Sequence, residues 1–383
     1  MIRQSFAAGL VCVAIAIGAS AARAAGAAAA PGANAAPGAA AAPGANATPG
    51  ANAAPKERTI GYVMTSLYWS IYQTPDGKKE CPKGFNDGPR EQYAVLFPAG
   101  KKRTVIDTQL KLESETWFPS SAPDPTPFHE ATGRVSYGMN LDGKIGPNDF
   151  LSPDGEAGID NQLYRALGCI IGFRGPDGVE FIFEQKEIRD SRFNRMMIEL
   201  TDVDDPVNDD DVTVTFYRGL DRLLTDASGN RAMPGGSQRI DARFGKRFIT
   251  RMRGKIADGV LSTEPVDELT LPWTTLDGPP TEIIRDARFR LRLTPTSAEG
   301  MIGGYADVDS WYRLMLRNDS THHLSNGQIS GISLYKALRR LADAHPDPNT
   351  GAMTAISAAL DAKLVQVFIQ HPQGDAVKAA SLR

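Results

Sequence analysis

The sequence predicts a mainly β protein, built as an antiparallel β-sandwich or a jelly-roll-like fold, with a C-terminal helical segment. Short runs of β-branched and aromatic residues recur along the chain, and clusters of Gly, Pro, Asp and Asn separate them. Two of these runs, 212–217 and 289–293, alternate between apolar and polar residues, as half-buried antiparallel strands do. Long helical periodicity is absent until residue 333. These three observations together favour the β class.

The predicted strands begin with the runs 59–64 and 67–72, which a Pro-Asp-Gly turn at 75–77 ends. Two further Pro-Asp-Gly turns follow at 153–155 and 176–178. The later strands are expected at 94–97, 105–109, 179–183, 196–200, 212–217, 248–252 and 289–293. Residues 56–330 are therefore predicted to form one β-rich domain or two sandwiches in series.

Residues 331–383 are predicted to form a helical appendage and a tail. The segment Ser333–Ala344 places Leu334, Leu338 and Leu341 on one helical face, and His345 with the proline after it ends that helix. Residues 354–369 fit either a second helix or a helix that passes into a strand. The last dozen residues are expected to fray.

The first 24 residues predict export. Arg3 gives a basic start, an apolar run follows from Phe6 to Ile17, and the small-residue pattern at 22–24 resembles a signal-peptide cleavage site after Ala24. Because the apolar run is shorter than the roughly 20 residues that span a bilayer, no transmembrane segment is expected there or later. The predicted location is the periplasm or the cell exterior.

Residues 25–55 repeat the words Ala-Pro-Gly-Ala-Asn-Ala and Ala-Ala-Pro-Gly. Proline removes backbone donors, glycine adds conformational freedom, and alanine offers little surface to bury, so this tract is predicted to be a disordered linker.

The charge balance argues against nucleic acid as a partner. The chain has 42 basic and 45 acidic residues, so its formal net charge is −3. Basic residues do cluster between 243 and 255, but acidic and apolar tracts surround the cluster. Nucleic-acid binding needs a clearer basic excess, so it is not expected. The cluster consists of Arg243, Lys246, Arg247, Arg251, Arg253 and Lys255.

Two cysteines remain once Cys12 is assigned to the signal peptide. In an oxidising compartment Cys81 and Cys169 are predicted to form one structural disulfide. In the loop-entropy model, closing a loop of about 88 residues contributes around 4 kcal/mol to stability.

The segment 140–161 concentrates oxygen ligands at glycine-bent turns, which is the composition that calcium prefers. It departs from the EF-hand template, because Gly138 stands at the first ligand position and Pro147 interrupts the following helix. We therefore expect a looser oxygen cage, with calcium as cofactor. Its candidate ligands are Asn140, Asp142, Asp149, Asp154, Glu156 and Asp160. The alternative is a set of surface Asx turns.

A second acidic run lies directly before the strand that begins at Val212, and packed carboxylates repel one another unless a cation or solvent separates them. A second calcium site is the candidate function of this run, and a solvated acidic turn is the alternative. Its candidate ligands are Asp202, Asp204, Asp209 and Asp211.

Signatures of catalysis are missing from the sequence. The pair His322-His323 has no HxH or HExxH frame, and no GxSxG, CxxCH, GxGxxG or P-loop pattern occurs. We therefore expect an exported, non-catalytic binding or structural protein, with an unidentified ligand or envelope protein as its partner. Two alternatives stay open. One is a jelly-roll carbohydrate-active enzyme that uses two carboxylates, and the other is an accessory subunit of a periplasmic complex.

Overall fold

Antiparallel strands follow one another around a closed circuit in the computed structural model of this chain. The structure describes residues 58–75, 81, 100, 110–112, 115–117, 129–174, 178–190, 195–273, 282–318 and 331–372. The predicted signal peptide, the predicted linker and the predicted strands at 94–97 and 105–109 lie outside these residues.

Fifteen strands and four α-helices lie in the described residues. The strands are β1 Arg58–Trp69, β2 Leu110–Leu112, β3 Glu115–Trp117, β4 Phe150–Leu151, β5 Ala157–Ile159, β6 Met196–Val203, β7 Asp209–Arg218, β8 Gly236–Arg239, β9 Thr250–Ala257, β10 Val260–Thr263, β11 Val266–Leu271, β12 Glu282–Leu293, β13 Ser297–Asp307, β14 Ala344–Pro346 and β15 Met353–Gln370. The helices are α1 Gln162–Leu167, α2 Val179–Asp190, α3 Val308–Asn318 and α4 Gly331–Leu341.

A closed barrel replaces the predicted sandwich or jelly roll. Eight strands pair in the order β1, β6, β7, β9, β10, β12, β13 and β15. Gly61 of β1 lies opposite Val367 of β15, and Val63 of β1 lies opposite Met197 of β6. Because β1 pairs along both of its edges, the sheet closes on itself. The mainly β, antiparallel class is confirmed, whereas the two-layer arrangement is wrong.

Apolar side chains fill the inside of the barrel. Alternate residues of its strands meet in one cluster and are at most 1% exposed, among them Met64, Ile198, Phe216, Phe289 and Leu360. An eight-stranded barrel is just wide enough for side chains to occupy its interior. The barrel is therefore a packed core.

Residues 129–173 cover part of the outer face of the barrel. Met139 and Leu141 pack there against Tyr305 of β13 and Ala355 of β15. Residues 219–245 cover another part, where Ile240 packs in a separate apolar cluster. The strands between these two coverings, β9 and β10, present their outward side chains to solvent.

The C-terminal segment joins the barrel instead of forming an appendage. The predicted amphipathic helix is confirmed as α4, with Leu334 and Leu338 fully buried. Residues 354–369 belong to β15, an 18-residue strand that pairs with both β1 and β13. Their apolar side chains fit the strand period because one face of β15 lines the core.

One predicted strand is wrong. Residues 179–183 lie in helix α2, which packs on β1 through a hydrogen bond from Gln185 to the carbonyl oxygen of Leu67. A short apolar run has no period that separates a strand from a buried helical turn.

Among the described helices, none is long and apolar enough to cross a membrane.

Candidate functional site

The first predicted calcium-binding segment folds into turns that use their own carboxylates. Asp142 Oδ1 accepts a hydrogen bond from the backbone N–H of Lys144 at 2.8 Å. Asp149 accepts one from the N–H of Gly146, and Asp160 Oδ2 accepts one from the N–H of Leu141 at 2.6 Å. The Asp142 contact is the Asx-type contact of the alternative interpretation, whereas Asp149 reaches back three residues and Asp160 joins two parts of the segment that are 19 residues apart.

The remaining predicted ligands of this segment point to different partners. Asn140 accepts from the N–H of Gly143 at 2.7 Å and donates to the carbonyl oxygen of Lys144 at 2.8 Å. Glu156 lies 3.3 Å from Arg290 on β12. Asp154 is exposed at the turn before β5. The set therefore spreads along the loop.

Three carboxylates of the segment do lie within electrostatic reach of one another. Burial raises the pKa of Asp160, and the charges of Asp149 and Asp142 raise it further. Among the described residues, however, no group of three or more His, Cys, Asp or Glu is arranged to hold a metal ion. Calcium binding at 140–160 stays a prediction.

The second acidic run forms the hairpin turn between β6 and β7. Asp209 Oδ2 accepts from the N–H of Asp204 at 2.7 Å, and its Oδ1 accepts from the N–H of Asp211 at 3.1 Å. Asp202 has a positive φ of 63°, and its carboxylate accepts from the Thr201 hydroxyl at 3.2 Å. These carboxylates organise the turn, and cation binding by them is likewise still a prediction.

The predicted pairing of the two cysteines is confirmed by the geometry. Cys81 and Cys169 are bonded, both are buried, and their Cα atoms lie 5.1 Å apart. This separation is within the range typical of disulfides. The bond attaches the chain beyond β1 to the turn that follows α1.

A buried polar network fixes α1 to the barrel. The backbone N–H of Gln162 donates to the Ser357 hydroxyl at 2.9 Å, and that hydroxyl donates to Asp343 Oδ2 at 2.6 Å. The N–H of Ser357 donates to the other oxygen of Asp343 at 2.7 Å. Because these groups satisfy one another, the network explains how the covering loop is held in place.

Strand β9 carries a row of exposed cations on its outer face. Arg251, Arg253 and Lys255 are exposed, whereas Met252, between the first two, and Ile256, directly after the third, point into the core. The strand period of two separates the row from the core side chains. This row is the second half of the basic cluster seen in the sequence.

A matching row lies on β12. Arg288 and Arg290 are half-buried and Arg292 is exposed, and they alternate with the buried Phe289 and Leu291. Gly300 of β13 lies opposite Leu291, and a Cβ at that position would collide with the carbonyl oxygen of Arg290. A glycine is therefore required where β13 meets this part of β12.

The short strand β10 separates the two rows. Ser262 lies opposite Lys255 on one side and Arg290 on the other, and Val260 lies opposite Arg292. Since adjacent strands are about 4.8 Å apart, the rows lie about 9.6 Å apart with small side chains between them. We name this feature the β10 groove. It comprises Arg251, Arg253, Lys255, Val260, Ser262, Arg288, Arg290 and Arg292.

Most cations of the β10 groove have no carboxylate partner. Arg290 pairs with Glu156 and also donates to the carbonyl oxygen of Gly138 at 3.1 Å. Within the part of the chain that the structure describes, Arg253, Lys255 and Arg292 form no salt bridge. Because no salt bridge neutralises these three side chains, they raise the local positive potential. Their like charges also repel one another on the same sheet face.

Three further observations define the electrostatics of the groove. The Nε atom of Arg288 is buried and has no hydrogen-bond partner among the described residues. Glu264 follows β10 directly, with its N–H donating to the carbonyl oxygen of Arg253 at 2.8 Å. Glu299 lies opposite Arg292 on β13. Glu264 therefore lies beside Arg253 where β10 ends, and Glu299 lies beside Arg292, so the groove is cationic around Ser262 and has an acidic side chain next to each of these two arginines.

The sequence indicates half of this site, namely the basic cluster at 243–255. It does not show that the arginines of β12 belong to the same surface. The signal that links them is the alternation Arg-x-Arg-x-Lys at 251–255 and Arg-x-Arg-x-Arg at 288–292. Alternate cations on two strands indicate one charged sheet face only when the two strands lie close together.

Comparison of the chain with protein-family models, with curated proteins and with solved structures gives no match.

Proposed function

We propose that this chain is an exported, non-catalytic binding protein that holds an anionic partner in the β10 groove. The observation that carries the proposal is the pair of cation rows on β9 and β12, with Arg253, Lys255 and Arg292 outside any salt bridge among the described residues. The filled barrel acts as the scaffold, because its interior is occupied by side chains. A ligand must then bind on the outside.

Charge and geometry both favour an anion. The whole chain has a formal net charge of −3, so a concentration of cations on one face is a local feature. Exposed charges attract a partner over about one Debye length, roughly 8 Å at physiological salt, and complementary charge mainly accelerates and orients association. The proposal therefore predicts salt-sensitive binding.

The arginine side chains of the groove suit anion binding better than proton transfer. A guanidinium cannot be deprotonated in a protein, and it donates hydrogen bonds in a planar fork that matches a carboxylate. The groove floor adds the hydroxyl of Ser262 and the apolar side chain of Val260. These groups support binding without bond breaking.

A matched pair of triple variants tests the proposal. The groove variant replaces three cations that lie outside salt bridges, Arg253→Ser, Lys255→Ser and Arg292→Ser. The control variant replaces three exposed cations outside β9, β10 and β12, and thus changes the net charge equally. Its substitutions are Lys186→Ser, Arg222→Ser and Arg231→Ser.

Binding to immobilised poly-L-glutamate is measured across a salt series. We expect the wild type and the control to bind at low salt and the groove variant to lose most of this binding. Similar losses in both variants would show that net charge alone drives association, and would refute the assignment of the groove.

A further inference from the structure

We infer that the anionic partner is a linear polysaccharide that carries one carboxylate on each sugar ring, lying along β10. This inference rests on the proposed function, and it adds the chemical class of the partner. It is drawn from the spacing of the cations, the composition of the groove floor and the acidic residues beside Arg253 and Arg292.

The spacing of the cations favours a linear partner over a small ion. Alternate residues of a strand are about 6.7 Å apart, and the rows of β9 and β12 are about 9.6 Å apart. Lys255 and Arg290 face each other across Ser262, and Arg292 lies one step further along the groove beside Val260. On the β9 side Val260 faces Ala257, so the cations stand on both sides of Ser262 and on one side of Val260. They do not converge on one point, as a site for a single phosphate would require.

The floor of the groove fits a sugar chain. Val260 and Ser262 are short and half-buried, so a flat ring can lie between the longer side chains on either side. The Ser262 hydroxyl can exchange hydrogen bonds with ring hydroxyls, and the Val260 side chain offers an apolar contact. Long side chains at these two positions would block the groove.

The same residues disfavour nucleic acid. Proteins that bind single strands stack bases on aromatic side chains, whereas the outward positions of β9, of β10 and of residues 288–292 of β12 are Arg, Lys, Ala, Val and Ser. Duplex DNA carries one charge for each 1.7 Å or so of its axis. Glu264 beside Arg253 and Glu299 beside Arg292 would repel such a dense array. A polyuronate carries more widely spaced carboxylates and can avoid them.

The test measures the affinity of the full exported chain for four probes in a buffer that contains a calcium chelator. The probes are polygalacturonate, neutral dextran, duplex DNA, and vesicles that contain an anionic phospholipid. The chelator removes calcium, which could otherwise bridge the carboxylates of the polymer to the acidic loops.

We expect the wild type to bind polygalacturonate more tightly than DNA or vesicles, and to leave dextran unbound. Each exposed cation contributes roughly fivefold to the affinity for an anionic surface, so the groove triple variant should bind polygalacturonate about 100-fold more weakly. The control triple variant should change the affinity less than threefold or so on the same scale. Raising the salt concentration should reduce the difference in polygalacturonate affinity between the wild type and the groove variant.

Other outcomes separate the two proposals. Tighter binding of DNA or vesicles, with the same loss in the groove variant, would refute the polysaccharide inference and leave the binding function intact. Failure to bind any polyanion would refute both. Release of shortened polysaccharide chains by the wild type would contradict the non-catalytic assignment.

Discussion

Removal of the Cys81–Cys169 disulfide should cost a large share of the stability of this protein. The two cysteines are separated by 88 residues, and the bond joins the chain beyond β1 to the end of α1. In the loop-entropy model, opening a loop of this length adds about 15 cal/mol/K to the entropy of the unfolded chain, which lowers the free energy of unfolding by about 4.5 kcal/mol near 25 °C. Both side chains are buried, so alanine is the appropriate replacement.

Guanidinium unfolding followed by tryptophan fluorescence measures this difference. Three samples are compared, namely the oxidised wild type, the wild type with a thiol-free reductant, and the Cys81→Ala/Cys169→Ala variant. We expect the second and third to lose similar stability, and the variant to be insensitive to the reductant. A loss below about 1 kcal/mol would show that the unfolded chain gains little freedom, and the entropic reasoning would then be wrong.

Three further predictions concern buried and acidic groups. Glu282 is fully buried, and neither of its carboxylate oxygens has a hydrogen-bond partner among the described residues. Burial, together with the Asp307 charge, raises its pKa well above 4.5. Above pH 4.5 the folded state therefore keeps a proton on Glu282 that the unfolded state releases. The free energy of unfolding of the wild type should then fall relative to that of Glu282→Gln, by up to about 1.4 kcal/mol for each pH unit. If thermal melts of the wild type and Glu282→Gln show the same difference in stability at every pH from 4 to 8, this prediction is contradicted. Arg195 is fully buried and donates to the carbonyl oxygens of Ile188, Arg189 and Asp221, so Arg195→Met should cost about 3 kcal/mol in denaturant unfolding, and a neutral result would show that these carbonyls find other donors. If calcium binds at the 140–160 segment, saturating calcium should raise the melting temperature over that in chelator, and Asp142→Asn should remove the rise. Equal melting temperatures in calcium and in chelator would refute the prediction of calcium binding.

The sequence predicted the class of this fold but not its closure. Alternation in 212–217 and 289–293 marks the buried face of each strand correctly, since Val212, Val214 and Phe216 of β7 and Phe289 and Leu291 of β12 are buried. Closure depends on pairing between Gly61 and Val367, which lie about 300 residues apart in the chain. No local pattern contains this register, so a sandwich and a barrel look alike from the sequence.

The acidic segments show why composition alone points to several outcomes. Aspartates beside glycines suit both calcium cages and Asx turns, because both uses need a short carboxylate at a tight bend. In the structure the carboxylates of Asp142, Asp149 and Asp209 accept hydrogen bonds from backbone N–H groups of their own turns. The cysteine pair was more predictable, since two cysteines in an oxidising compartment allow one intramolecular bond.

The β10 groove could not be predicted because it depends on which strands become neighbours. Arg253 and Arg288 are 35 residues apart in sequence, and β10 places their strands on either side of itself. Each row alone is typical of an ordinary solvated strand face. The alternating cations of β9 and β12 form one charged surface only because β10 pairs with both strands.

The position of the groove on a closed barrel also bears on how tightly it can bind. Cations on a mobile loop must be ordered when the ligand arrives, and that ordering weakens binding. Here the backbones of Arg253 and Lys255 are fixed by pairing on both edges of β9, and those of Arg290 and Arg292 by pairing with β10 and β13. The buried Met252 and Phe289 fix the outward direction of their neighbours by the strand period. The packed interior thus supports the proposed binding function, because it holds the two rows at a constant separation and leaves mainly side-chain freedom to be lost on binding.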